Sequence, residues 1–256
     1  MTLNLPSVIQ TGKNPHTTSD RYSFIPTTRV LSVLADFGWF PCFAREARVM
    51  KEVNHGYQRH MVRLSNEAFG RNLGLGDVLP EIVVINSHGG SSSFQLFVAL
   101  LEKVCTNGLI VDRGERMDHH RIAHTGYTDE RIATAIGSVM AGFPKVLERR
   151  DEMRRHVLSR GEQNTFARSA IELRFDGQKY AVEPTALLAV RHSGQLAPNL
   201  WNTFNVVQEN AIRGGIWQRR ADGSRIRSRR VQAIAEEVRL NRALWRLAEE
   251  TARRAD

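Results

Sequence analysis

The spacing of apolar residues becomes helical throughout beyond Thr128, and that change limits what the chain can fold into. Before it, short alternating or continuous runs, as in half-buried and fully buried strands, are interleaved with two stretches at helical spacing. Beyond it apolar residues recur every three to four positions, as on one face of a helix. The expected fold class is α+β: an N-terminal helix with a small, mostly antiparallel sheet and a long helix, followed by a helical C-terminal half with an arginine-rich hairpin.

In the first half, TTRVLSVLADFG predicts a short helix with Thr27 or Thr28 as its cap, Val30, Leu31, Val33 and Leu34 on its apolar face, and Gly38 as its stop. WFPCFAREARVM and YQRHMVRL predict two strands around a turn at Asn54, His55 and Gly56, with Pro41 holding the first near a sheet edge. After the glycine-rich FGRNLGLGD, EIVVINS predicts a well-buried strand able to pair with those two. SSSFQLFVALLEKVCTNG places Phe94, Leu96, Phe97, Leu100, Leu101, Val104 and Cys105 at helical spacing, so it predicts a long helix opened by serines and closed by Asn107-Gly108. The brief strand LIV and a histidine-rich loop follow.

In the second half, TDERIATAIGSVMAGF predicts a capped helix that Pro144 kinks or restarts before KVLERRDEMRRHVLSR. QNTFARSAIELRF, PTALLAVRH, NLWNTFNVVQENAIR and RRVQAIAEEVRLNRALWRLAEETARR predict four more helices, the third closed by Gly214-Gly215. Between the last two, IWQRRADGSRIRS predicts a hairpin, because Asp222-Gly223 suits a tight turn. The domain reading is a flexible tail at 1–20, an α+β core at 21–126 and a mainly helical region at 127–256 with the basic hairpin at 213–230.

Charge bears on partners. The chain carries a net +9, and Arg213–Arg230 holds seven arginines against the single acid Asp222, so +6 of that surplus sits in one segment. Such a cluster favours polyanionic partners. Arginine pairs with phosphate bidentately and stacks on bases, and Trp217 and Ile216 offer a base face, so Arg213, Trp217, Arg219, Arg220, Arg225, Arg227, Arg229 and Arg230 are the candidate nucleic-acid-binding residues, with single-stranded DNA favoured. The competing reading pairs these arginines with Glu236, Glu237 and other surface acids.

Two further stretches carry chemistry. EIVVINSHGGSSSFQLF reads as a strand, a glycine-rich turn and a helix start, which makes Ser87, His88, Gly89, Gly90, Ser91 and Ser92 a candidate anion-binding loop, set against a plain turn and cap. It lacks the Gly-Lys-Ser/Thr of a phosphate-binding loop, so no nucleotide cofactor is expected. MDHHRIAHTG gathers His119, His120 and His124 as weak metal candidates, without the glutamate of an HExxH motif, and surface histidines that bind nothing are the plainer reading. No Gly-x-Ser-x-Gly elbow and no evident carboxylate pair is present, and Glu67, Asp77 and Glu81 cannot be grouped from sequence; catalytic residues are none, and an enzyme is the less favoured reading. Cys42 and Cys105 lie far apart in apolar surroundings, which fits a reducing compartment and core packing. No apolar run approaches the roughly 20 residues that cross a bilayer, so the expected location is the cytoplasm of a bacterial host, with no membrane partner.

TTRVLSVLADFGWFPCFARE, HMVRL, VVINSHGGSSSFQLFVALLEKVCTNGLIV, RIAHTG, LWNTFNVVQENAIRGGI and VRLNRALWRLAE, in this order, resemble a bacterial phage- and plasmid-borne family, the phage/plasmid-like proteins of domain of unknown function 932. The resemblance spans residues 21 to 250 and implies carriage on mobile elements. It implies no catalytic residues, and it typically has Asp where Gly89 stands, so that position is not an essential acid. In element order the first half is also similar to Rad52-like single-strand annealing proteins, an analogy of fold alone.

The expected function is therefore a non-enzymatic nucleic-acid-binding protein of a phage or plasmid, active in single-strand binding or annealing during recombination or replication, with a homo-oligomer allowed for. Two alternatives stay open: a counter-defence, anti-CRISPR-like protein that docks on a host nuclease complex, and a metal-dependent enzyme.

Overall fold

The run Ile82–Ile85 is buried along its whole length, and a strand buried on both faces needs hydrogen-bonded neighbours on both edges. A computed structural model of the chain describes residues 4–69, 78–102, 109–111, 121–125 and 128–254, and it supplies those neighbours. The fold is α+β and divides into two compact units, residues 1–103 with 108–143, and residues 104–107 with 144–256.

In the first unit, helix α1 (Thr27–Asp36) precedes strands β1 (Phe40–Glu46), β2 (His60–Ser65), β3 (Val78–Asn86), β4 (Phe94–Glu102), β5 (Leu109–Val111) and β6 (Arg121–Ile122). They form one antiparallel sheet in the order β1-β2-β3-β4-β5, with β6 also on β4. Pro41 lies on the edge strand as expected, and the register slips by one residue between Pro41 and Phe43, which leaves Cys42 in a bulge. α1 stops where expected, with Gly38 at φ 79°. Its expected threonine cap is not used: Pro26 holds the cap position, and Thr27 is buried with its hydroxyl engaged inside the unit.

The expected helix at Ser91–Gly108 is instead β4, whose register on β3 runs from Ile85↔Gln95 to Val78↔Glu102. Phe94, Leu96, Val98 and Leu100 point to one face and Phe97 and Ala99 to the other, and all six are buried. A run apolar on both strand faces also satisfies the helical spacing, so periodicity could not separate the two. Its expected end at Cys105, Asn107 and Gly108, and the loop 70–77, lie outside the described residues. The expected flexible tail is also corrected. Ser7, Val8 and Asn14 are buried; Asn14 donates from its backbone to the His88 carbonyl at 2.9 Å and from its side chain to the Val53 carbonyl at 2.7 Å, and Ser7 Oγ donates to Glu46 at 2.7 Å. Residues 4–25 form a strap whose polar side chains supply the anchoring.

Helix α2 (Asp129–Arg155) is opened by Thr128, whose hydroxyl accepts from the Arg131 amide at 3.3 Å, and it runs through Pro144 without interruption, where a kink or restart was expected. The second unit holds α3 (Arg160–Arg174), β7 (Tyr180–Ala181), α4 (Pro184–Leu187), α5 (Leu200–Arg213), β8 (Trp217–Arg220), β9 (Arg225–Arg227) and α6 (Ile234–Arg253). Ser159 and Glu162 cap α3 reciprocally. The expected helix PTALLAVRH shrinks to one turn, since the carbonyls of Leu187 and Ala189 are taken by the Asn210 amide, each at 2.9 Å. α3, α4 and α6 pack on α5, every residue of which from Leu200 to Ile212 is buried. β7, β8 and β9 make a second antiparallel sheet.

Gly214 ends α5 at φ 71°, and a Cβ there would sit 2.6 Å from the carbonyl carbon of Arg229. Gly214→Ala is expected to cost about 2 kcal/mol or more, because both conformation and space are refused. Gly177→Ala, at a position with nothing within 4 Å, is expected to stay within about 0.5 kcal/mol. Urea unfolding of the two variants checks this.

Candidate functional site

Strand alternation decides which arginines act together. β8 and β9 pair as Trp217↔Arg227, Gln218↔Ile226 and Arg219↔Arg225, and β7 adds Ala181↔Arg219. Directly opposed residues share a face, so Trp217, Arg219, Arg225 and Arg227 stand together on one side of the ribbon beside Ala181. Gln218 is buried and Ile226 half-buried on the other side. The turn between the strands is closed by Gly223 at φ 82° and by the Asp222 carboxylate, which accepts from the Ser224 amide at 2.8 Å. Those Ser224 bonds, with a smaller contribution from the Arg220 charge, hold the Asp222 carboxyl below its usual range.

The outward face is cationic and aromatic. The Arg227 guanidinium carbon lies 4.6 Å from the centroid of the Trp217 ring, and Trp217 remains 53% exposed. Among the described residues, no carboxylate forms an ion pair with Arg219, Arg225 or Arg227. Glu236, a candidate partner for them, binds Arg239 at 2.7 Å instead.

Not all of the sequence-predicted residues belong to this face. Arg213 sits in the last turn of α5 and pairs at 2.9 Å with Glu209, which is 1% exposed, so its charge is spent on a buried carboxylate. Ile216 is a buried core residue and offers no base face. Arg220 alternates to the opposite side, opposed to Tyr180. Arg229 and Arg230 are exposed but follow β9 rather than lying in the ribbon, and the Arg229 carbonyl is held by Arg174 at 3.0 Å. Sequence reasoning missed β7, which carries too short a pattern to be read, and missed the His192 contact to Glu209 at 3.3 Å.

The candidate anion loop takes a different form. No helix follows it, so the unpaired amides of a helix start are not there. Its first three amides are engaged: Ser87 N–H donates to Asn86 Oδ1 at 2.8 Å, and those of His88 and Gly89 both donate to the Tyr57 carbonyl, at 3.0 and 2.9 Å. Ser87 Oγ and Ser91 Oγ bond one another at 2.8 Å, Ser92 Oγ donates to the Ser93 carbonyl at 2.9 Å, and Thr17 Oγ1 donates to the Gly89 carbonyl at 3.1 Å. Gly90 takes φ 72° in the turn. The block Ser87–Ser92 thus joins β3 to β4 with its first three amides and its serine hydroxyls already engaged.

The histidines divide as well. His119 and His120 lie outside the described residues. His124 is buried, stacked on Tyr22 with ring centroids 4.4 Å apart, and its Nδ1 meets the Ser23 carbonyl at 3.1 Å. His88 and His60, 5.1 Å apart by centroid, converge on the Thr27 hydroxyl, at 3.4 and 2.8 Å. The Thr27 oxygen also accepts from Asn86 at 3.0 Å. Because His60 Nδ1 faces the Gln58 carbonyl at 3.2 Å, that nitrogen carries the proton, and the Thr27 hydroxyl donates to Nε2. Burial pushes His60 down to about 4 and His88 to about 3, the latter helped by the neighbouring histidines, and burial also lowers His124. Among the described residues no group of three His, Cys, Asp or Glu side chains is placed to hold a metal. Elsewhere Glu81, 2% exposed, pairs with Arg63 at 2.6 Å, and burial followed by the Glu81 charge raises the Cys42 thiol to about 11, so it stays protonated at neutral pH.

Two Escherichia coli K12 proteins align along nearly the whole chain: UPF0380 protein YafZ is 36% identical over 96% of this chain and 87% of its own length, and UPF0380 protein YfjQ is 35% identical with the same coverage. The profile of domain of unknown function 932 matches residues 16–245. The chain belongs to the domain of unknown function 932 family. No solved structure matches it. In this family member, no helix among the described residues is long and apolar enough to cross a membrane.

The buried histidines make stability depend on pH. They are neutral in the folded chain and titrate near 6.5 when unfolded, so the unfolded state binds more protons below that value. Stability is complete above about pH 6.5 and falls as pH drops toward 4, with a loss of about 2 kcal/mol for each of His60 and His88 by pH 5. Urea midpoints at pH 7.5 and 5 measure it; equal midpoints would contradict the buried neutral network.

Proposed function

We propose that this protein is a non-enzymatic nucleic-acid-binding protein, serving replication or recombination of a phage or plasmid, and that its contact surface is the outward face of the β7-β8-β9 sheet. The observation that carries the reading is the directly opposed pair Arg219↔Arg225, flanked by Arg227 and without a carboxylate partner among the described residues. Like charges opposed across two strands destabilise a ribbon, typically by about 0.2–1 kcal/mol, and a phosphate between them reverses that sign. Guanidinium groups held on a sheet face are also oriented before the ligand arrives, which lowers the ordering cost of binding. The mobile-element part of the reading rests on the family resemblance.

Three guanidinium groups on the face, rather than the six net charges of the whole segment, set the expected salt dependence. Log affinity is expected to fall against log salt with a slope of about −2 for a single strand or about −2.7 for a duplex. Replacing Arg219, Arg225 and Arg227 together by Glu is expected to lower affinity at least about 100-fold at low salt and to flatten the slope. Fluorescence anisotropy with labelled oligonucleotides over a salt series measures both, and affinity unchanged by the triple substitution would reject the assignment. Binding that survives nuclease treatment of a host lysate but is lost in the same variant would move this face to a protein partner.

A further inference from the structure

We infer that the ligand of this face is single-stranded and that one unpaired base stacks on Trp217, an inference that rests on the nucleic-acid reading above. Trp217 stands 53% exposed in a β-ribbon, whereas Trp39, Trp201 and Trp245 are 0%, 0% and 1% exposed. Its cross-strand partner Arg227 lies over the ring at 4.6 Å, which covers one side of the indole and fixes its orientation. An exposed aromatic so held is a stacking platform: a base laid on the exposed indole surface would extend the stack of guanidinium and indole. Arg219 and Arg225 then lie on the same face, two residues further along the strands, where the backbone phosphate next to that base would be met.

Duplex nucleic acid cannot use this arrangement fully. Its internal base faces are stacked on one another, so along its length a duplex meets the three guanidinium groups through phosphate alone and leaves the indole without a partner. Every base has a π-face, so the contact discriminates paired from unpaired nucleic acid and not one sequence from another. An isolated exposed cation–π pair would account for the contact between Arg227 and Trp217 as a stabiliser of the ribbon, but not for two further unpaired arginines on the same face as the open ring.

The test uses the full chain and three probes: a thymidine oligonucleotide, an abasic oligonucleotide of the same length and charge, and a blunt duplex. Trp217 is the exposed one of four tryptophans, so quenching by a bound base falls on its share of the emission, and loss of that quenching in the Trp217 variant assigns it. The thymidine probe is expected to quench this emission and to bind roughly 5- to 150-fold more tightly than the abasic probe, the range that one stacked base confers. Trp217→Ala is expected to erase that preference, and Trp217→Phe to keep most of it. Thermal unfolding of both variants verifies that the ribbon persists. Equal affinity for thymidine and abasic probes without quenching, or a Trp217→Ala variant that keeps the preference, would overturn base stacking while leaving the phosphate-binding face intact. Failure of every probe to bind would overturn the nucleic-acid reading itself, and this inference with it.

Discussion

The second unit depends on the complete burial of α5. A helix buried on every side carries no solvated face, yet Asn202, Thr203, Asn205, Gln208, Glu209 and Asn210 all lie on it, and each brings polar atoms that need partners. Many of those partners come from the surrounding elements: Gln163 of α3 donates to Thr203, Asn241 of α6 accepts from Gln208, the Leu187 and Ala189 carbonyls accept from Asn210 and His192 reaches Glu209, while Asn205 and Glu209 also find partners in Trp201 and Arg213 of α5 itself. Each of these hydrogen bonds fixes the direction of a neighbour as well as engaging a buried polar atom, so α5 acts as the template on which the unit is assembled. Loss of one partner strands its mate in the interior, which is why such a core resists substitution more sharply than an apolar one.

The basic ribbon inherits its position from the same helix. α5 closes at Gly214, where the Arg229 backbone approaches too closely for any Cβ; the Gly215 amide donates to the Ser228 carbonyl at 2.8 Å, and the Val231 amide to the Ile212 carbonyl at 2.9 Å. Arg174 of α3 joins the two sides of this root, donating to the Ala211 carbonyl at 3.1 Å and the Arg229 carbonyl at 3.0 Å. Burial and the Arg239 charge lower the Arg174 pKa, against the pull of Glu236, yet a guanidinium remains charged and can serve two carbonyls where a neutral donor would serve one. The ribbon therefore projects from a fixed root with its side chains already sorted by strand alternation.

What was legible in the sequence follows from how local its causes are. The edge position of Pro41, the stop at Gly38, the strands of His60–Ser65 and Val78–Asn86, and the close of α5 at Gly214 each rest on one or a few residues with a conformational preference of their own. The failures have tertiary causes. Phe94–Glu102 is apolar on both strand faces, and only pairing with β3 decides it against the helix. The strap at residues 4–25 has the composition of a tail and is ordered by hydrogen bonds to residues about 40 to 75 positions away. At the candidate site, the composition pointed to the segment, whereas the face needed the register: Arg213, Ile216 and Arg220 leave it because of a buried carboxylate, a core contact and a half-period of the strand.

The same accounting of donors separates the two stretches that chemistry favoured from sequence alone. In Ser87–Ser92 the turn looks built for an anion, but its first three amides end on Asn86 and Tyr57, and its serine hydroxyls bond one another or the backbone. At those three amides and the hydroxyls, a ligand would compete with bonds that already hold the turn together. On the ribbon the balance is reversed. Arg219, Arg225 and Arg227 have no described carboxylate to release, and Trp217 beside them is 53% exposed. Binding at the first place would exchange one set of hydrogen bonds for another, whereas at the second it would replace repulsion between guanidinium groups with attraction to phosphate, and that difference in sign is why the ribbon is the site we propose.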